Sequence, residues 1–133
     1  LQILKLLKEI QEKNKMSIIF VSHDLNVISK VSDNIQVMYA GEIVEYGNRE
    51  QLIQGRKHPY TNGLLNSLPG SQLKDHKLYS IPGIVPDLKK RPKGCQFAPR
   101  CEFAEASCEN NGTIKLSSND QHHWKCIKPL EDS

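Results

Sequence analysis

Four cysteines, the full complement of this 133-residue chain, fall in its last third as Cys95, Cys101, Cys108 and Cys126. They are separated by five, six and 17 residues, so the thiols meet only if the chain wraps around something that rewards their meeting. A metal centre or a pair of disulfides does that. Lys89, Lys90, Arg91, Lys93 and Arg100 crowd the first two cysteines, where positive charge would favour thiolate over thiol. Trp124, the only tryptophan, is a candidate for shielding such a site from water. A second candidate is His23, in Ser22-His23-Asp24 directly after a strand-like apolar run. An imidazole at the carboxyl end of a strand, where open α/β sheets bind ligands, can reach a phosphate oxygen or the water that attacks it. An ordinary histidine in a strand-to-helix turn would look the same at this level.

The elements that must position these groups are legible in part. Ile3, Leu6, Leu7 and Ile10 recur at helical spacing within residues 1–14, opposite Lys5, Lys8, Glu9 and Glu12. Ile18-Ile19-Phe20-Val21 is a continuous, β-branched run and predicts a strand covered on both faces, as in a parallel sheet. Asp24 is placed to cap a helix reaching about Ser32. Ile35, Val37 and Tyr39 alternate with Gln36, Met38 and Ala40, which predicts a hairpin turning at Ala40-Gly41-Glu42. Asn48 with Gln51 three residues on predicts a capping box for a helix ending near Gly55, completing a βαβ-like order. Pro59 suits the first position of a further helix, with Tyr60, Leu64, Leu65 and Leu68 as its stripe and Pro69-Gly70 as its end. From Ser71 to Gly94 the composition turns to Pro, Gly and Lys around the island Ile81-Pro82-Gly83-Ile84-Val85-Pro86, a linker or extended wrap.

The chain is 38% hydrophobic, so a small core with a tethered module is expected rather than one large core. Its formal net charge of +3 is too mild to argue for nucleic acid, and none is expected as a partner. No stretch reaches the roughly 20 apolar residues of a membrane span, and no secretory leader is recognisable, which favours metal over disulfides. The sequence opens on Leu1, without methionine and already inside the amphipathic pattern, as a piece of a longer protein would.

The stretch IIFVSHDLNVISKVSDNIQVMYAGEIVEYG resembles the end of the nucleotide-binding subunit of ABC transporters, with its switch-histidine strand, following helix and hairpin. His58-Pro59-Tyr60-Thr61, then IPGIVPDL, CQFAPRCEFAEASC and HHWKC, resemble the C-terminal extension of ATP-binding subunits of oligopeptide and dipeptide importers. The resemblance implies an α/β fold: a C-terminal piece of the ABC ATPase core over residues 1–56 (helix, buried strand, helix, β-hairpin). A helix and linker follow over 57–94, then a small irregular metal-binding extension over 95–133. It implies that His23 contacts the γ-phosphate of ATP, and that Cys95, Cys101, Cys108 and Cys126 ligate a 4Fe-4S cluster. Four thiolates around such a cubane leave net negative charge, which Lys93 and Arg100 would moderate. Zinc is the nearest competitor. Gaps of five and six are loose for a structural zinc site, but His122 or His123 could complete a Cys3His set, and spacing alone separates neither metal from the other.

The phosphate loop with its Lys, the magnesium-binding Asp, the catalytic Glu and the signature loop that an ABC ATPase needs are absent from this sequence. The 133 residues alone are therefore not expected to hydrolyse ATP, and ATP and magnesium belong to the full-length protein. The resemblance implies that the full-length protein is an ABC-type ATPase coupling hydrolysis to peptide import. It would work at the cytoplasmic face of the membrane with a second ATP-binding subunit and membrane-spanning permease subunits. Self-association through exposed sheet edges is expected of the chain alone. The rival reading is a stand-alone metal-binding interaction or redox-sensing module.

Overall fold

The structure is a computed structural model and describes residues 2–68, 79–110 and 116–131. Helix α1 spans Gln2–Asn14 and α2 spans Leu25–Val31. Strand β1 (Asn34–Tyr39) and β2 (Glu42–Asn48) form a hairpin, followed by α3 (Arg49–Gln54) and α4 (Pro59–Asn66). After an irregular stretch come a 3-10 turn at Ala98–Arg100, helix α5 (Ala106–Asn110) and a second hairpin of β3 (Ser117–Asn119) and β4 (His122–Trp124). The four strands form one antiparallel sheet in the order β1-β2-β4-β3.

Local chemistry explains most of these elements. The Asp24 carboxylate accepts from the Asn26 and Val27 N–H groups and starts α2. Asn48 and Gln51 exchange both bonds of a capping box at 2.9 Å each, so α3 begins where β2 ends. The first hairpin turns through Ala40 and Gly41, both at positive φ as a two-residue type I′ connection requires. Pro59 takes the first position of α4, capped by the His58 ring, whose Nδ1 accepts from the Tyr60 N–H at 3.1 Å. That helix ends at Ser67. The Pro69-Gly70 stop and residues 71–78 of the expected linker lie outside the described residues.

Inward residues of β1 alternate as the sequence predicts, and Ile35, Val37 and Tyr39 meet Ile28, Val44, Leu52 and Phe97 in one core. Tyr60, Leu64 and Ile81 pack against its edge, so part of the α4 stripe and one residue of the Pro-rich island are absorbed there. Leu52 is fully buried, and truncating such a leucine to alanine typically costs about 3 kcal/mol.

Three expectations are overturned. The run Ile18–Val21 is not a strand, and Ile19 and Val21 are 93% and 91% exposed. A strand needs at least one hydrogen-bonded neighbour, and among the described residues β1 to β4 pair only with one another. The βαβ-like order goes with it: the fold is mixed helix and antiparallel sheet. Nor is the cysteine-bearing segment merely tethered, because β4 continues the sheet by pairing Trp124 with Glu45 and His123 with Tyr46. Helix α1 buries none of its residues, with Ile3 74% and Leu6 55% exposed.

Candidate metal centre

Cys95, Cys101, Cys108 and Cys126 all line one small cavity, together with His58, Pro59, Phe97, Ala98, Phe103 and Lys128. None is in a disulfide. Three of the thiols come from the compact 95–108 segment. Cys95 N–H donates to the Cys108 carbonyl at 2.8 Å, and Cys101 N–H closes the 3-10 turn on the Ala98 carbonyl at 3.2 Å. That approach depends on Gly94, where a Cβ would stand 2.1 Å from the Cys108 carbonyl oxygen. The fourth thiol, Cys126, lies two residues beyond β4, so the sheet delivers it.

Burial raises the pKa of Cys95, Cys101 and Cys126, the last to about 11, and the neighbouring cysteines push in the same direction. Backbone groups oppose this: Phe97 and Ala98 at Cys95, Phe103 at Cys101, Lys128 at Cys126. Such main-chain donors around sulfur suit a thiolate once a cation has displaced the proton. Lys89, Lys90, Arg91, Lys93 and Arg100 do not line the cavity, contrary to the expectation that they favour thiolate. Arg100 instead donates to the Pro82 carbonyl at 2.8 Å, the Ile81 carbonyl at 3.0 Å and the Tyr39 hydroxyl at 3.3 Å, and Arg91 faces Glu42. A guanidinium with several carbonyl acceptors at hand has little reason to turn to a neutral thiol.

The histidines that a competing Cys3His zinc site would draw on are also elsewhere. His122 Nε2 lies 2.8 Å from Glu45 Oε1, and His123 stacks on Tyr46 with ring centroids 5.7 Å apart. Trp124 packs edge-on against His122 and is not part of the cavity wall, whose apolar part is Pro59, Phe97, Ala98 and Phe103. Among the described residues, no group of three or more His, Cys, Asp or Glu side chains is set to hold a metal ion. The four thiols share a cavity without converging on a point.

Sequence reasoning missed Glu45. It is fully buried, and its carboxylate accepts from the Lys57 N–H at 2.6 Å and the His58 N–H at 3.0 Å while facing His122. A bulge between Val37 and Met38 turns both Val44 and Glu45 inward, which breaks the alternation that would have placed one of them outside. It also missed His58, which is 1% exposed and stands between the aromatic core and the cysteines, 5.9 Å from the Phe97 ring.

His23 follows the exposed run and precedes Asp24, whose N–H donates to Ser22 Oγ at 3.0 Å. It borders an open groove of about 780 Å³ between α1, residues 17–23, α2 and β1. Among the described residues, that groove and the cysteine cavity have no lining residue in common. Among the described residues, no helix is long and apolar enough to cross a membrane.

Residues 44–108 match the family model described as oligopeptide/dipeptide transporter, C-terminal region. A relative from Brucella ovis, named as a peptide import ATP-binding protein, is 41% identical over 133 positions that cover 96% of this chain and 39% of the relative. A second, from Brucella abortus and similarly named, is 45% identical over 107 positions covering 80% of this chain and 32% of its own length. The chain thus spans about two-fifths or less of the curated relatives it matches. Over nearly all its length it is similar to part of the peptide import ATP-binding proteins, and its middle matches the model of the C-terminal region of oligopeptide/dipeptide transporters.

Proposed function

We propose that these residues form the C-terminal part of the ATP-binding subunit of a peptide importer, and that their four cysteines hold a 4Fe-4S cluster that fastens the extension. The observation that carries the first half is the match of residues 44–108, flanked on both sides by similarity to peptide import ATP-binding proteins. In the full-length protein, on this reading, His23 contacts the γ-phosphate of ATP bound with magnesium between two such subunits. Closure of the pair then drives permease subunits from the cytoplasmic face of the membrane. The exposure of His23 on an open groove suits a group that meets a ligand supplied from elsewhere.

The second half is supported by the shared cavity and its all-sulfur donor set. Four thiols spread around one space fit a cubane, in which each thiolate takes its own iron. One zinc ion would demand four ligands within about 2.3 Å of a single point. Bound there, the cluster would tie the 95–108 segment to the end of β4, and no electron partner needs to be invoked. Three cavity thiols lie on one short segment and the fourth beyond β4, so the same ligands would close a loop and brace the sheet.

Two measurements test the two halves. His23→Ala in the full-length protein is expected to abolish ATP hydrolysis and leave nucleotide binding nearly intact, and retained turnover would refute the assignment. Anaerobic purification should give a brown protein with equal iron and sulfide. Zinc in their place would return the cysteine site to the metal-binding-module reading.

A further inference from the structure

The geometry points to His58 as a positioning residue of the cysteine site: its Nε2–H donates a hydrogen bond into the sulfur shell made by Cys95, Cys101, Cys108 and Cys126. The inference rests on the reading that those thiolates hold a 4Fe-4S cluster. Four observations lead to it. First, His58 is almost completely buried and lines the cavity. Second, its Nδ1 is occupied as an acceptor by the Tyr60 N–H, so a neutral ring carries its proton on Nε2.

Third, Nε2 is buried and has no hydrogen-bond partner among the described residues. The backbone of Lys125, next in sequence to Cys126, lies near the ring, though it forms no hydrogen bond to Nε2. A buried N–H without an acceptor is costly, and sulfurs bearing negative charge are acceptors of the kind it lacks. Fourth, the thiols apart, the wall has no other buried side chain with a polar hydrogen: Pro59, Phe97, Ala98 and Phe103 carry none, and Lys128 is 59% exposed and paired with Glu105. The two other buried side-chain atoms without partners, Thr61 Oγ1 and Gln96 Oε1, belong to residues outside the cavity wall.

A hydrogen bond to sulfur stabilises the more negative, reduced form and so raises the reduction potential. The imidazole also connects the site to the core, because the same ring caps α4 and the same residue's N–H binds Glu45.

The test compares wild-type protein with His58→Asn, both purified anaerobically and titrated spectroelectrochemically. Asparagine is a good helix cap, so it keeps the bond to the Tyr60 N–H while lacking the reach of Nε2. The expected result is an unchanged iron and sulfide content with a roughly tenfold shift towards the oxidised form, about 59 mV for one electron. His58→Gln, which restores a distant N–H, should recover much of it. An unmoved potential in His58→Asn would overturn the inference while leaving the cluster reading intact, whereas wild-type protein without iron and sulfide would overturn both. Should His58→Asn fail to fold, pulsed EPR of reduced, [15N]histidine-labelled wild type decides: a nitrogen coupling supports the bond, and its absence overturns it.

Discussion

The Glu45 carboxylate joins three segments distant in sequence: its own strand, the start of α4 through the Lys57 and His58 N–H groups, and β4 through His122. Removing it leaves those donors buried without an acceptor, so Glu45→Ala should destabilise the chain by about 3 kcal/mol, read as a lower urea midpoint at unchanged slope. Glu45→Gln keeps one acceptor and should cost less; equal midpoints for all three proteins would show that the carboxylate holds nothing. His58 adds a pH dependence. Its folded pKa, about 4, lies below the unfolded 6.5, so the unfolded chain binds the extra proton between these values. The associated stability is fully present above pH 6.5 and is lost as pH falls towards 4, by about 3 kcal/mol in all. Melting temperatures recorded across that window should fall with acid in the wild type and less in His58→Gln. Neither residue's buried role was legible in the sequence. Glu45 sits at a bulge that periodicity cannot foresee, and His58 stood out only as part of the His58-Pro59-Tyr60-Thr61 motif, with nothing local to mark its burial.

Among the elements, those set by neighbours a few residues apart were legible. The Asp24 cap, the Asn48–Gln51 box, the Ala40-Gly41 turn and Pro59 at the head of α4 each form from a local bond or a local backbone preference. The strand expected at Ile18–Val21 failed because an apolar run can call for covering partners but cannot supply them. Strands β3 and β4 went unread for the opposite reason. Each has three residues, and their turn runs through Asp120 and Gln121 at positive φ without a glycine to mark it. The gathering of the four thiols was legible in their spacing, whereas the idle basic residues and the displaced His122 and His123 depend on contacts made far along the chain. The most exacting element is the crossing of the 94–95 backbone over Cys108. A Cβ at Gly94 cannot be accommodated by moving a side chain, since it meets a carbonyl. Gly94→Ala should therefore break the hydrogen bond from the Cys95 N–H to the Cys108 carbonyl and, if the cysteines hold a cluster as proposed, abolish iron loading, whereas Gly63→Ala, which presses on the Ile81 side chain, should load normally. Equal iron content in both variants would count against this account.

At the scale of the molecule, much apolar surface is exposed. Ile19 and Val21 project from the unpaired run, and Ile3 and Leu6 from α1. Together with the groove beside α2 and β1, this is more apolar surface than an isolated chain normally leaves in water. The 133-residue chain is expected to self-associate, with a mass by light scattering above that of a monomer and rising with concentration. Ile19→Lys with Val21→Lys should restore the monomer; a wild-type mass fixed at one chain would contradict the prediction. The sheet order is β1-β2-β4-β3, so the hairpin formed first in sequence waits for a strand some 75 residues later. During synthesis the three cysteines of the 95–108 segment leave the ribosome before β4 and Cys126, so the fourth thiol arrives last, just beyond the strand that pairs with β2. If the four cysteines hold a cluster as proposed, its capture would serve as a completion check: a chain that stops before Cys126 holds an open three-thiol cup, and only one that includes Cys126 can seal it.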